Sequence, residues 1–185
     1  MAKRKENDPQ LSLKDGRLMS HVERSANDFL VGLRMVDVQN VKRILACIDS
    51  NNSSVDGISI GVIAVGSTVS RPEMRKQFPR NINLKVHTSS LFIGEEDFAA
   101  RDAAVGKLVD GLKAFCATNG LASEELATET HMASGTFRNP LLVITPEDGL
   151  PIHVGFANAR NLNYDQYLKV VERNPANKFP FAVLI

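Results

Sequence analysis

The stretch Gly57–Val86, GISIGVIAVGSTVSRPEMRKQFPRNINLKV, decides the expected fold, because the rest of the chain can be explained as support for it. It opens with the apolar run Ile58–Val65, which is typical of a buried β-strand. The run ends at Gly66-Ser67, where the glycine lets the backbone approach a ligand closely and the serine adds a hydroxyl group. A basic segment with turn residues follows and leads to a second strand.

The second strand, residues 81–86, alternates between polar and apolar side chains. Three polar residues share one face of the strand: Asn81, Asn83 and Lys85. The other face is apolar and consists of Ile82, Leu84 and Val86. Successive side chains of a strand point to opposite faces of the sheet, so the apolar set is expected to face the core. The two asparagines and the lysine then lie together on the opposite face.

The overall composition is that of an ordinary globular domain. The chain has 185 residues, of which 43% are hydrophobic and 23% charged, and its formal net charge is +1. This length suits one compact domain, and the small charge gives no support to a general nucleic-acid or membrane binder. The sequence has neither an apolar run of membrane-spanning length nor the apolar segment of a secretory signal. We therefore expect a cytoplasmic protein without a membrane partner.

The two cysteines, Cys47 and Cys116, fall on the apolar faces of expected helices. The sequence leaves open whether they form a disulfide or stay as two thiols. Buried reduced thiols are favoured in a cytoplasmic protein. No cluster of cysteine and histidine residues has the spacing of a zinc site.

Two helices are expected before the central stretch, after a polar and mobile tail over residues 1–12. Apolar residues recur every three or four positions from about Asp15 to Leu33, which predicts an amphipathic helix. Asp37 is the expected N-cap of a second helix, which ends in the polar cluster at residues 49–54. Together they make residues 15–50 a helical segment that covers one face of the sheet.

One long helix and a group of strands are expected after the central stretch. Acidic residues from Glu95 onward suit the start of the helix, and Asn119-Gly120 is a natural stop. Residues 124–158 then follow as strands, including a hairpin whose second arm, residues 152–156, carries His153. In this hairpin His153 faces away from the core.

The C-terminal segment, residues 163–185, predicts a short helix and then an apolar strand that docks on the domain or forms a subunit contact. Residues 13–185 are therefore expected to form a single domain. The predicted fold class is α/β (α+β), with a mixed central β-sheet and helices packed mainly on one face.

This order of elements resembles the nucleotidyltransferase superfamily, the fold of polymerase beta and of many small transferases. In that family, a strand that ends in Gly-Ser is followed after a short spacer by Asp-x-Asp on the next strand. The serine end contacts triphosphate oxygens, and the aspartates hold divalent metal ions together with a carboxylate from a later strand. Here Gly66-Ser67 and the spacing match, and the resemblance covers residues 57–160. However, Asn81 and Asn83 stand at the positions of the two aspartates, and His153 stands at the position of the carboxylate from the later strand.

The resemblance implies two groups of site residues. The degenerate positions of the catalytic carboxylates are Asn81, Asn83 and His153. The implied phosphate-binding group consists of Gly66, Ser67, Thr68, Arg71 and Lys85. On the residues alone, the asparagines could also be ordinary strand residues, the histidine a hydrogen-bonded one, and the basic segment a solvated helix.

Replacing three carboxylates by neutral side chains takes the site from about −3 to about zero charge. Magnesium binds through carboxylates, waters and phosphate oxygens, and an asparagine carbonyl carries no charge to offset the ion. With basic residues nearby, such a pocket repels a free cation and attracts an anion. We therefore expect no metal or other cofactor.

Three hypotheses for the function follow. In the first, the protein is a degenerate nucleotidyltransferase, a pseudoenzyme that binds a nucleotide or another phosphorylated ligand. In the second, it is an active Mg²⁺-dependent transferase that recruits other carboxylates: Glu95, Glu96, Asp97 or Glu129. In the third, it is a non-catalytic structural or interaction subunit, which works as a homo-oligomer or with a protein partner.

Overall fold

The structure is a computed structural model. It describes residues 12–14, 17–19, 23–24, 26–52, 58–66, 68–69, 79–90, 95–132, 135–156 and 181–184. The helices in these ranges are α1 (Ala26–Val31), α2 (Met35–Asn52) and α3 (Glu95–Thr118). The strands are β1 (Ser12–Lys14), β2 (Arg17–Met19), β3 (Glu23–Arg24), β4 (Ile58–Val65), β5 (Ile82–Ser90), β6 (Ala122–Met132), β7 (Gly135–Thr145), β8 (Ile152–Phe156) and β9 (Phe181–Val183).

Within the described residues, seven strands form one mixed sheet in the order β3-β9-β4-β5-β8-β7-β6. At its centre β4 runs antiparallel to β5, and β8 runs parallel to β5. β7 returns antiparallel to β8, which confirms the expected hairpin. β1 and β2 form a separate two-stranded ribbon. The mixed sheet with its helices confirms the predicted fold class.

Helices α2 and α3 pack on one face of the sheet. Leu84 of β5 and Val154 of β8 are buried there together with Ile44 of α2 and Leu112 of α3. Apolar side chains from both layers form this core because each strand directs every second residue toward the helices. In the part of the chain that the structure describes, no helix combines the length and apolarity needed to cross a lipid bilayer.

Three expectations about individual elements are confirmed. β4 has the expected bounds, and α3 covers the expected long helix and is followed by Gly120 with a φ of 65°. The C-terminal apolar segment contains β9, which docks between β3 and β4. β5 is longer than expected, since it continues beyond Val86 to Ser90.

The expected helical segment over residues 15–50 is wrong at its N-terminal end. Residues 17–19 and 23–24 are strands, and the first helix begins only at Ala26. The short strand at 23–24 pairs in parallel with Phe181–Val183 at the other end of the chain. A contact so distant in sequence overrides the local helical pattern and leaves no local signal of its own.

Three other expectations lie wholly or largely outside the described residues. The structure describes residue 12 as the start of β1, whereas residues 1–11 of the expected tail are not among the described ones. The basic segment at 70–78 and the expected C-terminal helix from residue 163 also lie outside them.

Candidate functional site

The three residues predicted to stand at the family's carboxylate positions lie side by side in the structure. In the parallel register of β5 and β8, Asn83 is directly opposite His153, and Asn81 immediately precedes β5. The Nδ2 atom of Asn81 is 3.0 Å from Nδ1 of His153. The Nδ2 atom of Asn83 is 3.4 Å from Oδ1 of Asn81. We call this hydrogen-bonded set the asparagine–histidine chain.

Only one contact of the asparagine–histidine chain has a defined direction: Nδ2 of Asn83 donates to Oδ1 of Asn81. Nδ2 of Asn81 lies 3.0 Å from Nδ1 and 3.5 Å from Nε2 of His153, so it faces the imidazole ring. Which ring nitrogen carries a proton depends on the tautomer of His153.

The strands hold the asparagine–histidine chain in place through their opposite face. The alternate residues Ile82, Leu84, Ile152 and Val154 are almost fully buried against the helices. The peptide N–H of Ile82 also donates to the carbonyl of Pro151 at 2.8 Å. Because the core fixes these neighbours, the register that brings Asn83 and His153 together is set by packing.

Gly66 follows β4 directly and lies close to Asn83. Val65, the last residue of β4, is the register partner of Asn83. Gly66 has a φ of 89°, a left-handed conformation that side chains disfavour. A Cβ atom on Gly66 would lie 3.1 Å from Nδ2 of Asn83. Glycine is thus required here both by the backbone and by the close approach to the site.

Thr68 and Lys85, both in the predicted phosphate-binding group, differ in their exposure to solvent. Thr68 is buried in the turn that follows β4, where the N–H of Val69 donates to the carbonyl of Gly66 at 3.1 Å. Lys85 is exposed two residues beyond Asn83 and lies on the same face of β5. Ser67 and Arg71 lie outside the described residues.

A second cluster, which sequence reasoning missed, supports the strand that carries His153. Asp37 is almost fully buried in the first turn of α2, and its Oδ1 accepts from the N–H of Leu150 at 2.7 Å. Arg34 donates through Nε to its Oδ2 at 2.8 Å, and this bond raises the pKa of the guanidinium. Asn40 donates to the carbonyl of Asp148 at 3.0 Å. α2 therefore holds the turn just before β8.

The expected role of Asp37 as an N-cap is wrong, because α2 already begins at Met35. Its carboxylate binds a distant turn, and Gly149 makes room for it. Gly149 has a φ of 115°, and a Cβ atom there would lie 2.8 Å from Oδ1 of Asp37. The sequence does contain a turn signal at Asp148-Gly149, but nothing in it connects that turn to α2.

The carboxylates proposed for an active transferase belong to distant parts of the backbone. Glu95, Glu96 and Asp97 begin α3, which follows β5 in the chain. β5 ends at Ser90, seven residues or roughly 24 Å beyond Asn83. Glu129 is on β6. In the register of the sheet, Val143 of β7 is opposite His153, and Glu124 of β6 is opposite Val143. Glu129 is five residues, or roughly 17 Å, further along β6 than Glu124. Among the described residues, no three His, Cys, Asp or Glu side chains could hold a metal ion together.

Comparison with known protein families and curated proteins found no relative of this protein. No protein-family model matches the sequence, and no curated protein shows significant similarity to it. The nucleotidyltransferase resemblance therefore stays a prediction from the motif. What the structure adds is the meeting of Asn81, Asn83 and His153 on one face of the sheet.

Proposed function

We propose that this protein binds a nucleotide or another phosphorylated ligand at the asparagine–histidine chain, and that it does so without a metal ion. The observation that carries the proposal is that these three positions meet on one face of the sheet and supply no carboxylate. Oδ1 of Asn81 accepts from Nδ2 of Asn83, and Asn83 keeps a second amide hydrogen that can donate to an anion. Phosphate oxygens accept from such N–H groups, whereas Mg²⁺ binds through oxygen ligands that include carboxylates.

The charge of the surrounding strands supports an anionic ligand. The strands β4, β5, β7 and β8 contain neither aspartate nor glutamate. Lys85 contributes a positive charge on the face that carries the asparagine–histidine chain. With no carboxylate on these strands, the local field favours an anion over a cation.

The same residues are poorly suited to two-metal nucleotidyl transfer. That reaction needs metal ions to stabilise the attacking and leaving oxygens, and carboxylates to hold the metals. Asn81, Asn83 and His153 supply no negative charge, so we assign the protein a binding role as a pseudoenzyme. We place it in the cytoplasm, where the free cysteines Cys47 and Cys116 would stay reduced.

The proposal is tested by calorimetry with ATP, GTP, CTP, UTP and inorganic triphosphate, each in EDTA and in excess Mg²⁺. We expect at least one nucleotide to bind in EDTA with an affinity equal to or greater than that in Mg²⁺. Binding only with Mg²⁺, together with product formation, would instead indicate the active transferase. The absence of binding in both buffers would overturn the proposal and favour an interaction subunit.

Asn83→Asp is the sharpest variant, because it keeps the shape of the side chain and introduces a negative charge. We expect nucleotide affinity in EDTA to fall about tenfold or more, which corresponds to ~1.4 kcal/mol. Lys107→Gln is the matched control, since it changes the net charge equally at an exposed position of α3. An unchanged affinity in Asn83→Asp would exclude the asparagine–histidine chain as the phosphate site.

A further inference from the structure

The strand β6 forms a long and exposed edge of the sheet. Among the described residues, the seven-stranded sheet ends at β3 on one side and at β6 on the other. β3 has only two residues, whereas β6 has eleven and pairs with β7 along its whole length without a bulge. All residues from 122 to 128 are exposed. The N–H and C=O groups that β6 directs away from β7, its outer edge, are therefore a template for a further strand.

The composition of β6 makes this edge selective. Proteins usually protect an edge by keeping it short, by covering it, or by placing a bulge, a proline or a lysine on it. The sequence of β6, ASEELATETHM, contains no proline, lysine or arginine. It contains three glutamates instead. Because like charges directly opposite each other destabilise a strand pair and opposite charges stabilise it, the outer edge favours a basic strand.

The two faces of β6 offer different side chains to an added strand. On the helix-covered face, the carboxylate of Glu125 already pairs with Nζ of Lys113 at 2.8 Å. Glu124 lies on the opposite face, and no described side chain forms a salt bridge with it. Leu126 shares the face of Glu124, is 42% exposed and lies beside its register partner, the half-buried Leu141. A negative charge and an apolar side chain thus stand two residues apart on one face.

A second copy of β6 is a poor partner for the outer edge. In full antiparallel overlap, Glu125 of each copy would be opposite Glu129 of the other copy. In full parallel overlap, each glutamate would be opposite its own equivalent. Both arrangements place like charges directly across the strand pair, which is unfavourable. The charge of β6 therefore points to a partner with a different, basic sequence.

We propose that the outer edge of β6 binds an extended basic segment of another protein by β-strand addition. In this segment, a lysine or arginine lies opposite Glu124, and an apolar residue two positions away lies opposite Leu126. Hydrogen bonds between the main chains supply affinity, and the side-chain pairs supply specificity. The inference is independent of the proposed function, since the outer edge of β6 contains no residue of the asparagine–histidine chain.

The experiment uses the full chain and a synthetic peptide that repeats Lys-Thr-Val-Thr, which places lysine and valine on one face of a strand. Calorimetry should show binding. Amide hydrogen exchange by NMR should show which groups are engaged, because a hydrogen-bonded amide exchanges slowly. The β6 amides that do not donate to β7, which alternate along the strand, should exchange rapidly in the free protein. They should exchange about tenfold more slowly with the peptide bound.

Two control peptides separate strand addition from simple charge attraction. A peptide of the same sequence with every backbone nitrogen methylated keeps the lysines but has no N–H group to donate, so its binding should be lost. A peptide that repeats Glu-Thr-Val-Thr keeps the backbone and reverses the charge. It should bind about tenfold more weakly than the lysine peptide.

A charge reversal on the protein tests the position of the contact. Glu124→Lys should lower the affinity for the lysine peptide about tenfold and raise the affinity for the glutamate peptide. Asp102→Lys is the matched control, because it changes the net charge equally at an exposed position of α3. It should leave the affinity for the lysine peptide close to the native value.

Several outcomes would overturn the proposal. Unchanged exchange of the β6 amides, or equal binding of the methylated peptide, would show that no strand is added. Equal losses in Glu124→Lys and Asp102→Lys would show that only net charge matters. Slow exchange of the outward β6 amides in the free protein would mean that another part of the chain or a second copy already occupies the edge. Nucleotide binding is measured separately, and its result does not affect this test.

Discussion

The two faces of the central strands differ in what determines their residues. On the helix-covered face, Leu84 and Val154 are almost fully buried. On the other face, their immediate neighbours Asn83 and His153 are only half-buried and bond to polar partners. The same β5 and β8 backbones therefore carry a packed core on one side and the candidate site on the other.

This difference separates stability from binding. A residue on the covered face is constrained by its volume, because the core has no space to adjust freely. On the other face Asn83, Lys85 and His153 are half-buried or exposed, so their side chains are not fixed by the volume of the core. The comparison predicts that substitutions on one face change unfolding and that substitutions on the other change ligand affinity.

The largest effect is expected from two neighbouring residues of β5. Leu84→Ala should lower the free energy of unfolding by about 2–5 kcal/mol, because it leaves a cavity in the core. Asn83→Ala should cost less than about 1 kcal/mol and should abolish most nucleotide binding. Urea denaturation and calorimetry on both variants check this. A strongly unfolded Asn83→Ala would mean that the two faces are not independent.

An intermediate effect is expected at the buried contact between α2 and the turn before β8. Asp37→Ala leaves the N–H of Leu150 without its acceptor and should lower the unfolding free energy by about 1–3 kcal/mol. It should also weaken ligand binding, because this turn leads into the strand that carries His153. Asp49→Ala, at an exposed position of the same helix, is the control. Equal stabilities of the two variants would contradict the supporting role of Asp37.

A smaller effect is expected from Lys85, which is exposed on the face that carries the asparagine–histidine chain. Lys85→Ala should leave the urea midpoint within experimental error of the native value, since surface substitutions change stability little. Triphosphate affinity should fall several-fold at low salt, and less at high salt, because salt screens exposed charges. Lys107→Ala on α3 removes an equal charge from a distant surface. Identical losses in the two lysine variants would show that only net charge matters.

The smallest effect is expected on stability at high pH, from the two buried cysteines of the helices that cover the sheet. Burial raises the pKa of the Cys47 and Cys116 thiols above the ordinary value of 9.0. The folded state then holds these protons more tightly than the unfolded state. Their contribution to stability is complete below about pH 9 and is lost as the pH rises through the folded-state pKa.

Urea midpoints measured at several pH values from neutral to alkaline check this dependence on the two thiols. The double variant Cys47→Ala, Cys116→Ala should lose less stability than the native protein as the pH rises. Its lower stability at neutral pH does not affect the comparison, because only the change with pH is compared. An identical change in both proteins would contradict a role of the thiols.

Much of the fold and part of the site could be predicted from local pattern. The apolar run of β4, the long amphipathic α3 and the hairpin turn before β8 all have short-range signals. The alternation in β5 also placed Asn83 and Lys85 on the face opposite Leu84. β3 could not be predicted, because it exists through pairing with β9 at the other end of the chain. β1 and β2 pair with each other, and Asp15-Gly16 between them in the sequence is a local hairpin signal that the helical prediction missed.

The candidate site depends on both the sequence and the tertiary structure. The sequence determined which chemistry is present, since it places asparagines and a histidine on strands β5 and β8 and no carboxylate there. Tertiary structure decided that Asn81, Asn83 and His153 meet, because the parallel register of β5 and β8 is set by core packing. It also decided that the buried carboxylate of Asp37 holds the turn before β8. These features connect residues that are far apart along the chain, and only the packed sheet brings them into contact.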